Sequence, residues 1–164
     1  MKIQELIKLI EQWAIDRGLD KNGTVEGQLI KTAEEVAELI IGISKDNVKE
    51  IRYGVGDVFV TLVIGYMPDK NPDLVEIYQR VERSSTVHSK RKFDLIDFLH
   101  GSLHSLLAAE SYTNLELSFL LESLLDVCEW YELDFVYCIE SAYKEIADRK
   151  GVIKNGTFVK EEDL

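Results

Sequence analysis

Apolar residues recur along most of the chain with helical rather than strand spacing. In the first segment Ile3, Leu6, Ile10 and Trp13 fall at intervals of three and four, which places them on one face of an α-helix. The same reading predicts helices over about 2–17, 25–43 and 47–66, then over about 73–83, 91–110, 114–130 and 132–150. The breaks carry stop and start chemistry: a turn at about 18–23 bracketed by Gly18 and Gly23, and a Ser44-Lys45-Asp46-Asn47 turn rich in capping residues. The two prolines of the chain, Pro68 and Pro72, both fall in Met67-Pro68-Asp69-Lys70-Asn71-Pro72-Asp73 and predict a loop. A polar stretch at about 84–90 is expected to be a mobile link. One segment departs from helical spacing: in Val152-Ile153-Lys154-Asn155-Gly156-Thr157-Phe158-Val159 an Asn-Gly pair sits between apolar residues, the pattern of a tight type I′ hairpin. The expected fold is therefore all-α, an antiparallel helical bundle in a single domain over 1–164, with a small C-terminal β-hairpin as an appendage. Similar helix pairs in the two halves leave an ancient duplication open, although no fixed repeat stands out.

Composition narrows the function classes. The chain has 164 residues, enough to bury a core without disulfides or metals as staples. Its 19 Lys and Arg against 30 Asp and Glu give a net charge of −11, which repels nucleic-acid polymers and anionic membranes. The apolar run from Val55 to Met67 is interrupted by Asp57 and is shorter than the roughly 20 residues of a spanning helix. Met1-Lys2-Ile3-Gln4-Glu5 has no signal-peptide character, so a soluble cytoplasmic protein is expected. Cys128 and Cys138 lie within apolar periodic sequence and read as reduced core thiols.

The candidate chemistry is acidic. On a helix, Lys31, Glu34, Glu35 and Glu38 share one stripe, while Ile30, Ala33, Val36, Ala37, Ile40 and Ile41 lie on the other side. Taken alone, such a stripe is better explained by a solvated face than by a metal site. Asp57 changes the balance, because it lies in Val55-Gly56-Asp57-Val58-Phe59-Val60-Thr61-Leu62-Val63-Ile64, where an ionised group needs a cation or a hydrogen-bonded base to offset its burial. Glu50, Gly54 and Asp57 follow helical spacing and are expected to face the Glu35/Glu38 stripe across an antiparallel pair. Hard oxygen ligands select Mg²⁺ or Mn²⁺, which suits phosphate chemistry. An ordinary ion pair of Asp57 with Lys31, Arg52 or Arg149 is the alternative. His100 and His104, one turn apart, read as a surface or partly buried pair rather than a metal site, and Phe119, Leu120, Leu121, Leu124, Leu125, Val127 and Cys128 read as core or subunit interface.

These residues, with others, resemble the MazG-like nucleoside triphosphate pyrophosphohydrolases, an all-α group that includes the dimeric dUTPases. Gln28-Leu29-Ile30-Lys31-Thr32-Ala33-Glu34-Glu35-Val36-Ala37-Glu38-Leu39 is similar to the family's Q-x-x-K-x-x-E-E-x-x-E-L block, and Val55-Gly56-Asp57-Val58 to its G-D-hydrophobic block. Trp13-Ala14-Ile15-Asp16-Arg17-Gly18-Leu19 and the C-terminal segments 142–151 and 155–161 resemble the short phage and Gram-positive members. The resemblance covers roughly 1–64 and 117–164, leaving about 65–116 as an expected helical insertion. Gly54 departs from the family's second pair, which begins with Glu, and Lys144 and Ala147 stand where short members have Asn and Lys.

What the resemblance implies is Mg²⁺-dependent conversion of a (d)NTP to the monophosphate and pyrophosphate, as in house-cleaning of non-canonical nucleotides, by a homo-oligomer with a dimer as default. Glu34, Glu35, Glu38 and Asp57 would be catalytic, and Glu35, Glu38, Asp57 and Glu50 would hold Mg²⁺ or Mn²⁺. Lys31, Trp13, Arg17, Lys144, Arg149 and Lys150 would bind the substrate. For Trp13 a core position is an equal expectation. The rival readings are a catalytically degenerate helical module acting in protein interaction or nucleotide binding, and a binding protein for another phosphorylated ligand.

Overall fold

The computed structural model describes residues 1–68, 73–84 and 89–164. The centres of the proline loop and of the polar 84–90 link lie outside the described residues. The order is α1 (Ile3–Asp16), α2 (Leu19–Asn22), α3 (Val25–Ser44), α4 (Val48–Tyr66), α5 (Leu74–Ser84), α6 (Lys92–Ala109), α7 (Asn114–Trp130), α8 (Phe135–Ile146), β1 (Gly151–Lys154), β2 (Thr157–Lys160) and a 3₁₀ turn at Glu161–Asp163. An all-α bundle with a C-terminal hairpin is therefore the fold.

Helix starts follow local side-chain chemistry. The hydroxyl of Thr24 accepts from the Gly27 N–H at 3.0 Å, the Asn47 side chain from the Glu50 N–H at 3.3 Å, and the Asp134 carboxylate from the Tyr137 N–H at 2.8 Å. Each satisfies a donor that the first turn of a helix leaves without a partner. Two expectations are corrected. The turn at 18–23 contains the one-turn helix α2, entered through Gly18 at φ +74°, and α8 is shorter than the expected 132–150. Its late start follows from Glu132 at φ +54° and the Asp134 cap. Its early end follows from α1, whose Trp13 Nε1 donates to the Ile146 carbonyl at 2.8 Å and whose Arg17 donates to the Ala147 and Arg149 carbonyls.

Helix α4 is the hub, packed against α3, α8, α1 and α7. Ile51, Val55, Val58, Phe59, Leu62 and Val63 are fully buried along it. The segment expected as an insertion joins the same core: α5 packs on α7, and α6 on both α3 and α7, contributing Leu74, Ile77, Val81, Leu95, Leu99 and Leu106. After α6, Tyr112 lies across Gly65, where a Cβ would come within 2.2 Å of its ring, and its hydroxyl hydrogen bonds that of Thr32 at 2.8 Å. Cys128 and Cys138 are free and buried, and His100 and His104 are exposed.

Two further expectations need revision. The side of α3 opposite its acidic stripe is not one core face: Val36 is fully buried, but Ile30 and Ile41 are 60% and 52% exposed. The hairpin is not an appendage. Asn155 and Gly156 take φ of +51° and +79°, as a type I′ turn requires. The Gly156 carbonyl accepts from the Thr24 N–H at 3.0 Å, and Phe158 meets Trp13 edge-on with centroids 5.3 Å apart. No helix among the described residues is long and apolar enough to cross a membrane.

Candidate functional site: a carboxylate-lined cavity

Between α3, α4, α8 and the hairpin lies a cavity of about 550 Å³, within the range of small-molecule sites. Helix α3 supplies Lys31, Glu34, Glu35 and Glu38; α4 supplies Glu50, Tyr53 and Asp57; α8 and the residues after it supply Glu145 and Arg149; and β2 supplies Lys160. Of the candidate residues, Glu34, Glu35, Glu38, Glu50, Asp57, Lys31, Arg149 and Trp13 thus line one cavity. Counting Lys49 and Asp163 as well, seven carboxylates face four cationic side chains. That surplus of negative charge disfavours a bare polyphosphate and favours one that arrives with a cation.

The charges are unevenly matched. Lys31 bridges Glu34 at 3.2 Å and Glu35 at 2.8 Å; burial pulls its pKa down, but these partners hold it above its ordinary value. Arg149 pairs with Glu145 at 2.9 Å, and the Arg52 guanidinium lies over the rings of Tyr53 and Tyr137. Asp57 is left without a hydrogen bond or ion pair among the described residues, so the ordinary ion pair weighed above does not form. Burial, reinforced by the charges of Glu35, Glu145 and Glu38, pushes its pKa up to about 7 against a weaker opposing pull from Arg149. Glu38 is raised too, through burial and then the Glu35 charge.

Several assignments change. Lys144 ion-pairs with Glu140 at 2.6 Å, and neither it, exposed Lys150 nor Arg17 lines the cavity. Arg17 is occupied with the carbonyls that end α8 and with the Trp13 ring, 4.4 Å from its guanidinium. Trp13 is 7% exposed and serves both expectations, part core and part cavity wall. Gly54 does not face the carboxylates: a Cβ there would lie 3.2 Å from the backbone of Leu39, so the α4 stripe runs Glu50, Tyr53, Asp57. Finally, the expected convergence of Glu35, Glu38 and Asp57 is looser than a ready ligand set. Among the described residues no group of three or more His, Cys, Asp or Glu side chains is arranged to hold a metal ion, and Lys31 holds Glu35 in an ion pair.

The donor chemistry nevertheless fits Mg²⁺ or Mn²⁺: the acids are all oxygen ligands, and one partly buried carboxylate has no hydrogen bond or ion pair among the described residues. Sequence reasoning missed Lys49, Tyr53, Glu145 and Lys160 as cavity residues. For Tyr53 the signal was available, three residues after Glu50 and four before Asp57. For Lys160 it was not, because its place depends on how the hairpin docks.

Comparison with known proteins adds one partial match. A Haemophilus phage HP1 (strain HP1c1) protein, described as an uncharacterized 18.2 kDa protein in the rep-hol intergenic region, is 47% identical over 62 residues. The matched stretch spans 38% of this chain and 38% of the phage protein. No known family matches the chain, and no solved structure does.

Proposed function

We propose that the protein is a Mg²⁺-dependent nucleoside triphosphate pyrophosphohydrolase of the MazG-like kind, acting on a (d)NTP in a cellular, non-membrane setting. The observation that carries this reading is Asp57: a carboxylate without a hydrogen bond or ion pair among the described residues, set among further acids in a cavity of nucleotide size. Keeping such a group costs stability, and a bound cation offsets that cost. Glu35, Glu38 and Asp57, with Glu50 at the rim, would hold Mg²⁺ or Mn²⁺. When bound, the ion neutralises phosphate charge and acidifies a coordinated water.

The chain's own residues do the rest. Lys31, Arg149 and Lys160 draw in and orient the phosphates. Lys31 exchanges its bond to Glu35 for a phosphate oxygen, which frees that carboxylate. Glu50, which has no ion pair among the described residues, or Glu34 accepts the proton of the attacking water. The water oxygen attacks the α-phosphorus, the bond to the bridging α–β oxygen breaks, and pyrophosphate leaves with that electron pair.

The test is pyrophosphate release from a panel of canonical and modified NTPs with Mg²⁺ or Mn²⁺. Turnover of at least one nucleotide, abolished by chelation, is expected. No release from any of them would end the proposal and favour the second reading, a degenerate nucleotide-binding or interaction module, which gains support from Gly54 standing against Leu39 where a further carboxylate is expected.

A further inference from the structure

The cavity has a second end, and its chemistry differs from the acidic one. On α3, seven residues before Glu35 and so about 10 Å along the helix, stands Gln28. On α4, four residues after Asp57 and about 6 Å along, stands Thr61. Trp13, Leu19, Val60, Ile64 and Phe158 supply apolar wall around them. This end is an apolar slot with a polar floor, reached along the same two helices that carry the acids.

Gln28 is the informative residue. It is 6% exposed, yet it lines the cavity. Its Nε2 donates to the Thr61 carbonyl oxygen at 3.1 Å. A backbone carbonyl only accepts, so the carboxamide cannot be turned over without setting two acceptor oxygens against each other. Its orientation is therefore fixed, and Oε1 is left with no hydrogen bond among the described residues. Behind it a buried network secures the floor: the Thr32 hydroxyl bonds the Gln28 carbonyl at 3.0 Å, the Thr61 hydroxyl at 2.9 Å and the Tyr112 hydroxyl at 2.8 Å. A buried amide locked by such a network and keeping an unused acceptor is set to read a ligand donor.

We infer that this end is a nucleobase subsite in which Gln28 Oε1 accepts a hydrogen bond from an N–H on the base edge. The inference rests on the pyrophosphohydrolase reading for its choice of a nucleotide over other flat heteroaromatic ligands. A base ring suits the slot because its faces are apolar enough for Val60, Ile64 and the aromatic pair, while its edge must replace the water that Gln28 loses. A site that leaves a buried acceptor unpaired rejects analogues lacking the donor far more strongly than an apolar slot rejects a shape change.

The experiment is calorimetric binding of nucleoside 5′-monophosphates, with no turnover required. AMP and CMP are compared with their counterparts lacking the exocyclic amine, and UMP with its N3-methyl form, on the unaltered chain and on Gln28→Met. At least one parent nucleotide is expected to bind, its donor-deleted counterpart at least tenfold more weakly, and Gln28→Met is expected to bind the two within about twofold. Equal binding of parent and counterpart by the unaltered chain overturns the inference, as does discrimination that survives in Gln28→Met, or no binding of any parent. The unaltered-chain comparison stands even where the variant fails to fold. Discrimination without pyrophosphate release would leave the base subsite standing while the hydrolase reading falls; release without discrimination would do the reverse.

Discussion

Asp57 and Asp126 are both aspartates set in helices of the core, and their surroundings are opposite. Asp126, on α7, is 2% exposed, and it is satisfied: the Ser89 N–H donates to one carboxylate oxygen at 3.1 Å and the Ser89 hydroxyl to the other. Asp57, on α4, is the less buried of the two, yet it has no hydrogen bond or ion pair among the described residues and faces Glu35, Glu38 and Glu145. Burial alone therefore does not distinguish a working carboxylate from a structural one. What distinguishes them is whether the fold supplies the hydrogen bonds and counter-charge that burial demands. At Asp126 the fold ties down a segment; at Asp57 it leaves a vacancy of charge at the wall of a cavity.

The contrast can be broken in order of effect. Asp57→Asn is expected to lower pyrophosphate release at least about 10³-fold, a barrier change of about 4 kcal/mol, whereas Asp126→Asn should leave it nearly intact; equal losses in the two variants would erase the distinction. Next comes stability. Asp57 has a folded-state pKa raised above its unfolded value, so the folded protein holds its proton more tightly and stability falls as pH rises from about 4 to about 7. Without divalent cations, Asp57→Asn should therefore be more stable than the parent above pH 7, by on the order of 2–4 kcal/mol, and no different below about pH 4. Denaturant unfolding at pH 4 and pH 8 reads this directly, and a gain that did not depend on pH would contradict it.

Asp126→Ala should act the other way, costing about 1–3 kcal/mol by stranding the Ser89 donors, measured by the shift in denaturant midpoint. The smallest effect belongs to the hairpin. Gly156→Ala places a Cβ 2.1 Å from the Thr24 hydroxyl at a φ of +79° and should cost about 1–2 kcal/mol. Its amide-exchange signature should be confined to β1, β2 and the start of α3. A loss of protection spread across α4 would show that the hairpin supports more of the molecule than its contacts indicate.

Local chemistry explains which parts of this picture were legible in the sequence. Helix starts at Thr24 and Asn47 are written in single capping side chains, and the Asn155-Gly156 turn in two residues with positive φ. The acidic stripe of α3 and the anomaly of Asp57 were legible because helical spacing and burial follow from the pattern alone. The end of α8 was not, since it is imposed by Trp13 and Arg17 from the far end of the chain. The α4 stripe was drawn through Gly54 rather than Tyr53 because the two flank the Glu50–Asp57 line on opposite sides, and only the approach of Leu39 decides which one faces the cavity. Lys144 and Lys150 were candidates by their charge and their place near the C-terminus, while the bond to Glu140 holds Lys144 elsewhere.

The claim beneath all of this is that Asp57 lacks a partner because a divalent cation completes it. Mn²⁺ titration followed by electron paramagnetic resonance measures that most directly. The account predicts saturable Mn²⁺ binding to the unaltered protein, displaced by Mg²⁺, lost in Asp57→Asn and retained in Asp126→Asn. Mn²⁺ bound equally well by Asp57→Asn, or bound by none of the three, would contradict it.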